Sequence, residues 1–167
     1  MSNNVTFALL DNSNKDIETM SILATSILRQ YYDSIIGEEQ NTYMLKKFQS
    51  FAAIQEQLEH GYIYYFIRIN NKNIGFLAYF FRLDHLYLSK LYLKEEYRNK
   101  GYGYASIEFL KVKAKEANLN AIELNVNKYN PTRFVYEKLG FKNDRSECND
   151  IGNGFYMDDY VYRLEGF

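Results

Sequence analysis

Apolar and polar positions change their period several times along this chain, and each change marks an element. Val5–Leu10 (VTFALL) is a short apolar run that reads as a strand. From Ser13 the period lengthens: Ile17, Met20, Ile22, Leu23, Ile27 and Leu28 form one face, which predicts a helix capped by Ser13. After GEEQ, the segment NTYMLKKFQSFAAIQEQLEHG reads as one long or two short helices closed by Gly61. Tyr62–Ile69 and Ile74–Leu83 are strands, and Asn70–Asn73 (NNKN) between them supplies residues that tolerate positive φ, so a hairpin is predicted. His85–Leu93 alternates as a further strand.

A helix follows, with Ala105, Phe109, Leu110 and Val112 as its apolar positions and Lys111, Lys113, Lys115 and Glu116 mostly outward. Ala121–Asn127 is a strand, Asn130-Pro131 opens a helix that Gly140 closes, and FYMDDYVYRL is a C-terminal strand. DRSECNDIGNG, before that last strand, reads as a polar loop. Two early helices, a meander and then a crossover helix predict a mixed α/β (α+β) fold rather than a doubly wound one. The expected sheet is mostly antiparallel, with six to seven strands and about four flanking helices. No repeat or linker divides the chain, so residues 1–167 are expected to form a single domain.

Composition narrows the function. A net charge of −1 argues against broad electrostatic binding to nucleic acid or to an anionic membrane surface. No run approaches the roughly 20 apolar residues of a membrane helix, and the first residues carry no basic region before an apolar stretch. Cys148 is the single cysteine, which excludes an intrachain disulfide framework; a cytoplasmic location and no metal are expected. The 17 tyrosines, with no tryptophan, fit a bias toward Asn, Lys, Ile and Tyr across the chain, yet some of these rings must line whatever pocket exists.

The stretch KEEYRNKGYGYASIEFLKVKAKEA sets two glycines and a cationic RNK triplet at the mouth of a helix. A helix N-terminus carries unpaired N–H groups and partial positive charge, and glycine lets an anion approach them. A Walker P-loop is excluded, because one residue separates Gly101 from Gly103 and no Lys-Ser/Thr follows. A Rossmann fingerprint fits poorly: Ser106 holds the third glycine position, and seven residues lie between Leu93 and Gly101. A glycine-rich cap without a ligand remains the plain structural alternative.

The third reading is R-x-x-G-x-G. Arg98-Asn99-Lys100-Gly101-Tyr102-Gly103, after a strand ending LSKLYL, resembles the acetyl-CoA signature of the GNAT N-acetyltransferase superfamily. Downstream, NKYNPTRFVYEKLGF is similar to that superfamily's N-x-x-A-x-x-F-Y-x-K-x-G-F motif, with Asn130, Tyr136, Lys138, Gly140 and Phe141 in place. Arg133 stands where a small residue is usual. The resemblance covers roughly Tyr62 to Leu164.

It implies acetyl transfer from acetyl-CoA to an amine by direct attack, with no need for a cysteine. The N–H groups from Asn99 through Tyr104 would wrap the pyrophosphate, with Arg98 and Lys100 adding charge; Leu91, Tyr92 and Leu93 would offer backbone groups to the pantetheine arm. Asn130 would bond the pantetheine or ribose side, or cap its helix, and Lys138 would join the cofactor contacts. Tyr136 would protonate the departing thiolate, or merely pack beneath the cofactor. Tyr87 occupies the place where some members carry a glutamate base, eleven residues before Arg98. The base or water relay is therefore open among Glu123, His85 and Asp84, and Glu123 reads equally well as facing solvent or a neighbouring cation.

Tyr31, Tyr32, Asp33, Glu38, Glu39 and Tyr43 cluster in the segment that walls the acceptor pocket in this superfamily, and Asp158, Asp159 and Tyr160 lie on the last strand. Carboxylates and phenols suit a polycationic amine, and the chain is similar to bacterial polyamine (spermidine/spermine-type) acetyltransferases. Of this set Tyr31, Tyr32, Glu38, Asp159, and with them Tyr87, are taken as substrate-binding. Solvated helix faces are the alternative for the acidic residues; a peptide N-terminus, an aminoglycoside or another small amine are alternative acceptors, and a non-catalytic acetyl-CoA sensor is the alternative function. A homodimer joined through sheet edges near the C-terminus is the expected assembly.

Overall fold

Asn70 (φ 51°) and Asn71 (φ 63°) both adopt the left-handed region, the requirement of a tight two-residue turn matched to strand twist. The hairpin they close is tighter than the four-residue turn expected, because Lys72 and Asn73 already belong to the second strand. The computed structural model describes residues 4–167. In chain order its elements are β1 (Val5–Leu9), α1 (Asn14–Ile36), α2 (Glu38–Gln49), α3 (Phe51–Glu59), β2 (Ile63–Ile69), β3 (Lys72–Phe81) and β4 (Leu86–Leu93). A 3-10 turn (Glu95–Tyr97) precedes α4 (Tyr102–Glu116), β5 (Ala121–Asn127), α5 (Thr132–Lys138), β6 (Lys142–Gly152) and β7 (Phe155–Glu165). The strand order is β1-β2-β3-β4-β5-β7-β6. The β1–β2, β2–β3, β5–β7 and β6–β7 pairs are antiparallel and β4–β5 is parallel, joined by α4 as a crossover. This is the mixed, mostly antiparallel sheet expected, with seven strands and with the ambiguous helical segment resolved into α2 and α3.

The chain packs as two compact units, one holding residues 90–106 with everything up to 80, the other holding 81–89 and 107–167. In the first unit, Ser13 caps α1 by accepting from Asp16 N–H, and Ile17, Met20, Ala24, Ile27 and Leu28 pack with Tyr64, Phe66, Phe76 and Ala78 of the strands. Each fully buried aliphatic side chain there contributes about 1.5–3 kcal/mol. Ser50 ends α2 and caps α3, its hydroxyl accepting from Ala53 N–H. Gly75 on β3 lets β4 close in, since a Cβ there would overlap the Tyr92 carbonyl and lie 2.8 Å from Leu93 Cδ2.

In the second unit the alternation of β4, β5 and β7 sorts their side chains onto two faces. Leu86 and Leu88, then Ile122, Leu124 and Val126, then Tyr162 and Leu164 share one face and are buried. Tyr162 donates to Glu137 of α5 at 2.6 Å, which places α5 on that face. Two expectations are corrected here. The segment DRSECNDIGNG is largely strand β6, an edge strand paired along β7; its exposed side chains give no apolar alternation, and only Ile151 is buried. In α4 the buried positions are Tyr102, Ser106, Ile107, Leu110 and Ala114, whereas Val112 is 53% exposed. Ser106 is tolerated in that face because its hydroxyl donates to Tyr102 C=O at 2.8 Å.

Candidate functional site

The glycine loop sits in the first unit between the 3-10 turn and α4. Its backbone is left-handed at Asn99 (φ 61°) and at Gly101 (φ 89°), and nothing lies within 4 Å of where a Gly103 Cβ would be. Ala105 N–H donates to Gly101 C=O at 3.1 Å as the first turn of α4 closes, so the N–H groups of Tyr102, Gly103 and Tyr104 lie ahead of the helical ladder. Asn99, Lys100 and Gly101 are exposed, as is Tyr104; Tyr102 is buried, its ring 6.4 Å from that of Tyr97. Arg98 is held differently. Its Nε donates to Leu93 C=O at 3.1 Å, its guanidinium lies 4.4 Å from the Tyr31 ring, and its Nη2 is buried with no hydrogen-bond partner among the described residues.

Tyr31 and Tyr32 of α1 come together with Tyr92 of β4. The ring centroids are 5.3–6.0 Å apart, and the Tyr32 and Tyr92 hydroxyls are hydrogen-bonded at 3.0 Å. Leu91, Tyr92 and Leu93 are half-buried. Glu38 and Glu39 are exposed in the first turn of α2, where the helix N-terminus favours negative charge. Asp33 is committed to Asn41 (2.8 Å) and Arg29 (3.6 Å).

Two residues on from Leu88, Lys90 points inward. Its ammonium donates to Phe48 C=O (2.9 Å), Gln49 Oε1 (3.0 Å), Gln57 Oε1 (2.9 Å) and the Tyr64 hydroxyl, with no carboxylate among them. Burial pushes its pKa down to about 7.

In the second unit, Tyr136 is buried on α5 with its ring edge-on to Phe141, centroids 5.6 Å apart. Asn130 is buried, and its Oδ1 accepts from Thr132 N–H at 2.9 Å; this closes a turn just ahead of α5, whose N-cap position is Pro131 rather than the Asn130 expected as one alternative. Lys138, the last residue of α5, is exposed.

The face of this unit's sheet opposite α5 is polar. At one end lies Glu123, whose oxygens accept from Arg163 Nη1 (2.6 Å) and Arg145 Nη2 (3.2 Å), with His85 Nε2 at 3.6 Å. Burial alone would raise the Glu123 pKa, but the hydrogen bonds from Arg145 and Arg163 outweigh it and hold the carboxyl below its usual range. That is the neighbouring-cation alternative, and it makes Glu123 a weak base. Asp84 and His85 are bonded to each other at 2.6 Å and belong to the same ionic group. At the other end, the Tyr87 hydroxyl donates to Asn125 Oδ1 (2.7 Å), and Asn125 Nδ2 donates to Glu147 Oε1 (3.2 Å) and Asp159 Oδ2 (3.3 Å). Asp159 is only 3% exposed, and burial pushes its pKa up to about 6.

Residues 25–141 match the Acetyltransferase (GNAT) family. The chain belongs to this family. No protein of curated function matches the sequence. Among solved structures the chain is similar to the PaiA N-acetyltransferase of Thermoplasma acidophilum in complex with coenzyme A, at 18% identity and TM-score 0.75, over 98% of this chain and 99% of that one. It is also similar to a GCN5-related N-acetyltransferase of Rhodopseudomonas palustris (14%, TM-score 0.79, 96% and 95% covered). A third such structure is the ribosomal-protein-S18-alanine N-acetyltransferase of Escherichia coli (18%, TM-score 0.67, 96% and 93% covered). The fold is thus the GNAT acyl-CoA N-acyltransferase fold, and the chain is an acetyltransferase by family.

The GNAT loop of this chain fits a bound pyrophosphate on its own geometry. An orphaned guanidinium nitrogen, a helix start with free N–H groups and open space at Gly103 are what a diphosphate would satisfy. Sequence reasoning missed Asn125, Glu147, Arg145 and Lys90. Lys90 alone left a trace, a lysine at an inward position of LYLSKLYL; the others are assembled by strand register. Among the described residues no helix is long and apolar enough to cross a membrane.

Proposed function

We propose that this GNAT acetyltransferase acetylates a primary amine of a small, polyamine-like molecule by direct attack on acetyl-CoA. The observation that carries the donor half is the α4 N-terminus with the orphaned Arg98 Nη2 beside it in the chain. Acetyl-CoA supplies an activated thioester carbonyl. The N–H groups at Gly101–Tyr104, with Arg98 and Lys100, hold its pyrophosphate; Leu91–Leu93 offer backbone groups to the pantetheine amides; Asn130 and Lys138 add side-chain contacts. Tyr136, a phenol with a reference pKa of about 10, gives its proton to the sulfur as the C–S bond breaks.

A cationic acceptor is favoured by the second unit's carboxylates, since Asp159 is buried and among the described residues no cation is bonded to it. A carboxylate in that position is costly to bury unless a positive charge comes to it. An acceptor on a protein or peptide N-terminus is the second reading, favoured by the likeness to an enzyme named for a ribosomal-protein alanine.

The test is thiol release from acetyl-CoA across spermidine, spermine, aminoglycosides, amino acids and short peptides. Turnover confined to polyamines supports the proposal. Turnover confined to peptides replaces it with the second reading, and none with any member removes both acceptors.

A further inference from the structure

Three strands converge on Asp159. On the polar face of the second unit, Asp159 of β7 lies opposite Asn127 of β5 and Glu147 of β6. The parallel β4–β5 ladder runs from Leu86↔Ile122 to Leu88↔Leu124, and Asn125 is the first β5 residue past its end. Tyr87 fixes the Asn125 amide: by donating to Oδ1 it turns Nδ2 toward the carboxylates. Every other buried or half-buried carboxylate of this face is committed to an arginine, Glu123 to Arg163 and Arg145, and Glu147 to Arg145. Asp159 has none. Its Oδ2 accepts only the Asn125 amide, and its Oδ1 accepts from no described residue.

We propose that Asp159 is the general base of the transfer, receiving on Oδ1 the proton of the acceptor's attacking nitrogen; this rests on the transferase reading above. The nitrogen lone pair forms the C–N bond to the thioester carbonyl carbon, and the C–S bond breaks with its electron pair on sulfur. The nitrogen's proton passes to Asp159, the sulfur takes the Tyr136 proton, and exchange with solvent returns both groups to their starting states. No oxidant or further reactant is needed. The groups facing Asp159 are consistent with this role. Burial raises its pKa to about 6; the Asn125 hydrogen bond opposes that, Asp158 and Glu147 add to it, and Lys128, paired with Asp158 at 3.0 Å, opposes it. The carboxylate is therefore ionised above pH 6 yet a stronger base than an exposed aspartate. Tyr87 cannot serve instead, because its hydroxyl is spent as a donor to Asn125.

The test compares wild type with the isosteric Asp159→Asn. Wild-type kcat/KM for the amine turned over is expected to fall on the acid side with an apparent pKa near 6. In D159N that limb should vanish and kcat should drop roughly 100-fold, while CoA Kd by calorimetry stays unchanged. Turnover within twofold of wild type, with the limb kept, overturns the proposal. Should D159N not fold, Asn125→Ala takes its place; loss of the hydrogen bond should move the limb to higher pH, and an unmoved limb overturns the proposal. If no amine of the panel makes wild type release thiol, the transferase reading fails and takes the base with it. Calorimetry of spermidine with D159N and wild type then tells what Asp159 does instead: weakening by tenfold or more leaves it a cation anchor, and equal affinity leaves it no ligand role.

Discussion

Arg163 Nη1 stands 2.6 Å from Glu123 Oε2, and Arg145 Nη2 stands 3.2 Å from Oε1, so both oxygens of one buried carboxylate are spent on guanidinium groups. Arg145 reaches it because a bulge between Asn143 and Arg145 shifts the β6 register. Without the extra residue, Asp144 would stand opposite Val161 in its place. The relationship is structural, and it has a pH signature. The folded-state pKa of Glu123 lies below its unfolded value, so its contribution to stability is present above the unfolded pKa and is lost as pH falls through the folded one. Glu123→Gln should cost about 1–3 kcal/mol at neutral pH. Below pH 4 the gap between the variants should shrink, as urea melts at pH 7, 5 and 3.5 would read. A constant gap would mean that Glu123 is not ionised in the fold.

Lys90 gives stability a slope of the same sign in a higher pH range. Its folded pKa of about 7 lies below the unfolded 10.5, so the native state sheds the proton first and stability rises as pH climbs from 7 toward 10.5. The slope is at most about 1.4 kcal/mol per pH unit. Tyr64 works against it at the upper end, because its pKa is raised by burial and its contribution is lost once the unfolded phenol ionises. The useful window is pH 7.5–9.5. Denaturant melts across that window should show wild type gaining stability and Lys90→Met staying flat; parallel curves would place a charged ammonium at the α2–α3 joint throughout.

Much of the fold could be read from residue order, and the reasons are local. Ser13, the Asn70-Asn71 turn and the face of Ile17, Met20, Leu23, Ile27 and Leu28 act within their own elements, so the sequence displays them; Ile22, expected on that face, is instead 64% exposed. The glycine loop is equally local, and Arg98 through Tyr104 stand at one helix start as expected. Long-range register was the part out of reach. β6 hides its identity because an edge strand with exposed side chains needs no apolar alternation. Asn125 was simply a residue of ELNVN until β4, β6 and β7 brought Tyr87, Glu147 and Asp159 to it.

Gly103 separates the cofactor reading from a bare helix cap. Its missing Cβ faces open space, with no described atom outside its own helix turn within 4 Å, so a side chain there should leave the melting temperature nearly unchanged. If the α4 N-terminus holds a diphosphate, Gly103→Val places a branched side chain where the anion must approach. CoA affinity should fall tenfold or more by calorimetry. Normal affinity in a folded G103V would sink the pyrophosphate assignment.

Tyr136→Phe isolates the hydroxyl from the ring. The ring packs edge-on to Phe141 in a buried setting, and phenylalanine keeps that contact, so fold and cofactor affinity should both survive. What is lost is a proton donor for the thiolate, a group needed only as the C–S bond breaks. An interaction made in the transition state alone lowers kcat and kcat/KM together. The expected loss is on the order of tenfold or more in kcat, with CoA Kd within twofold of wild type. An acyl donor with a more acidic thiol needs less protonation, so the Tyr136→Phe deficit should narrow with it. An unchanged kcat would retire the general-acid role, and a weakened CoA affinity in its place would assign Tyr136 to cofactor packing.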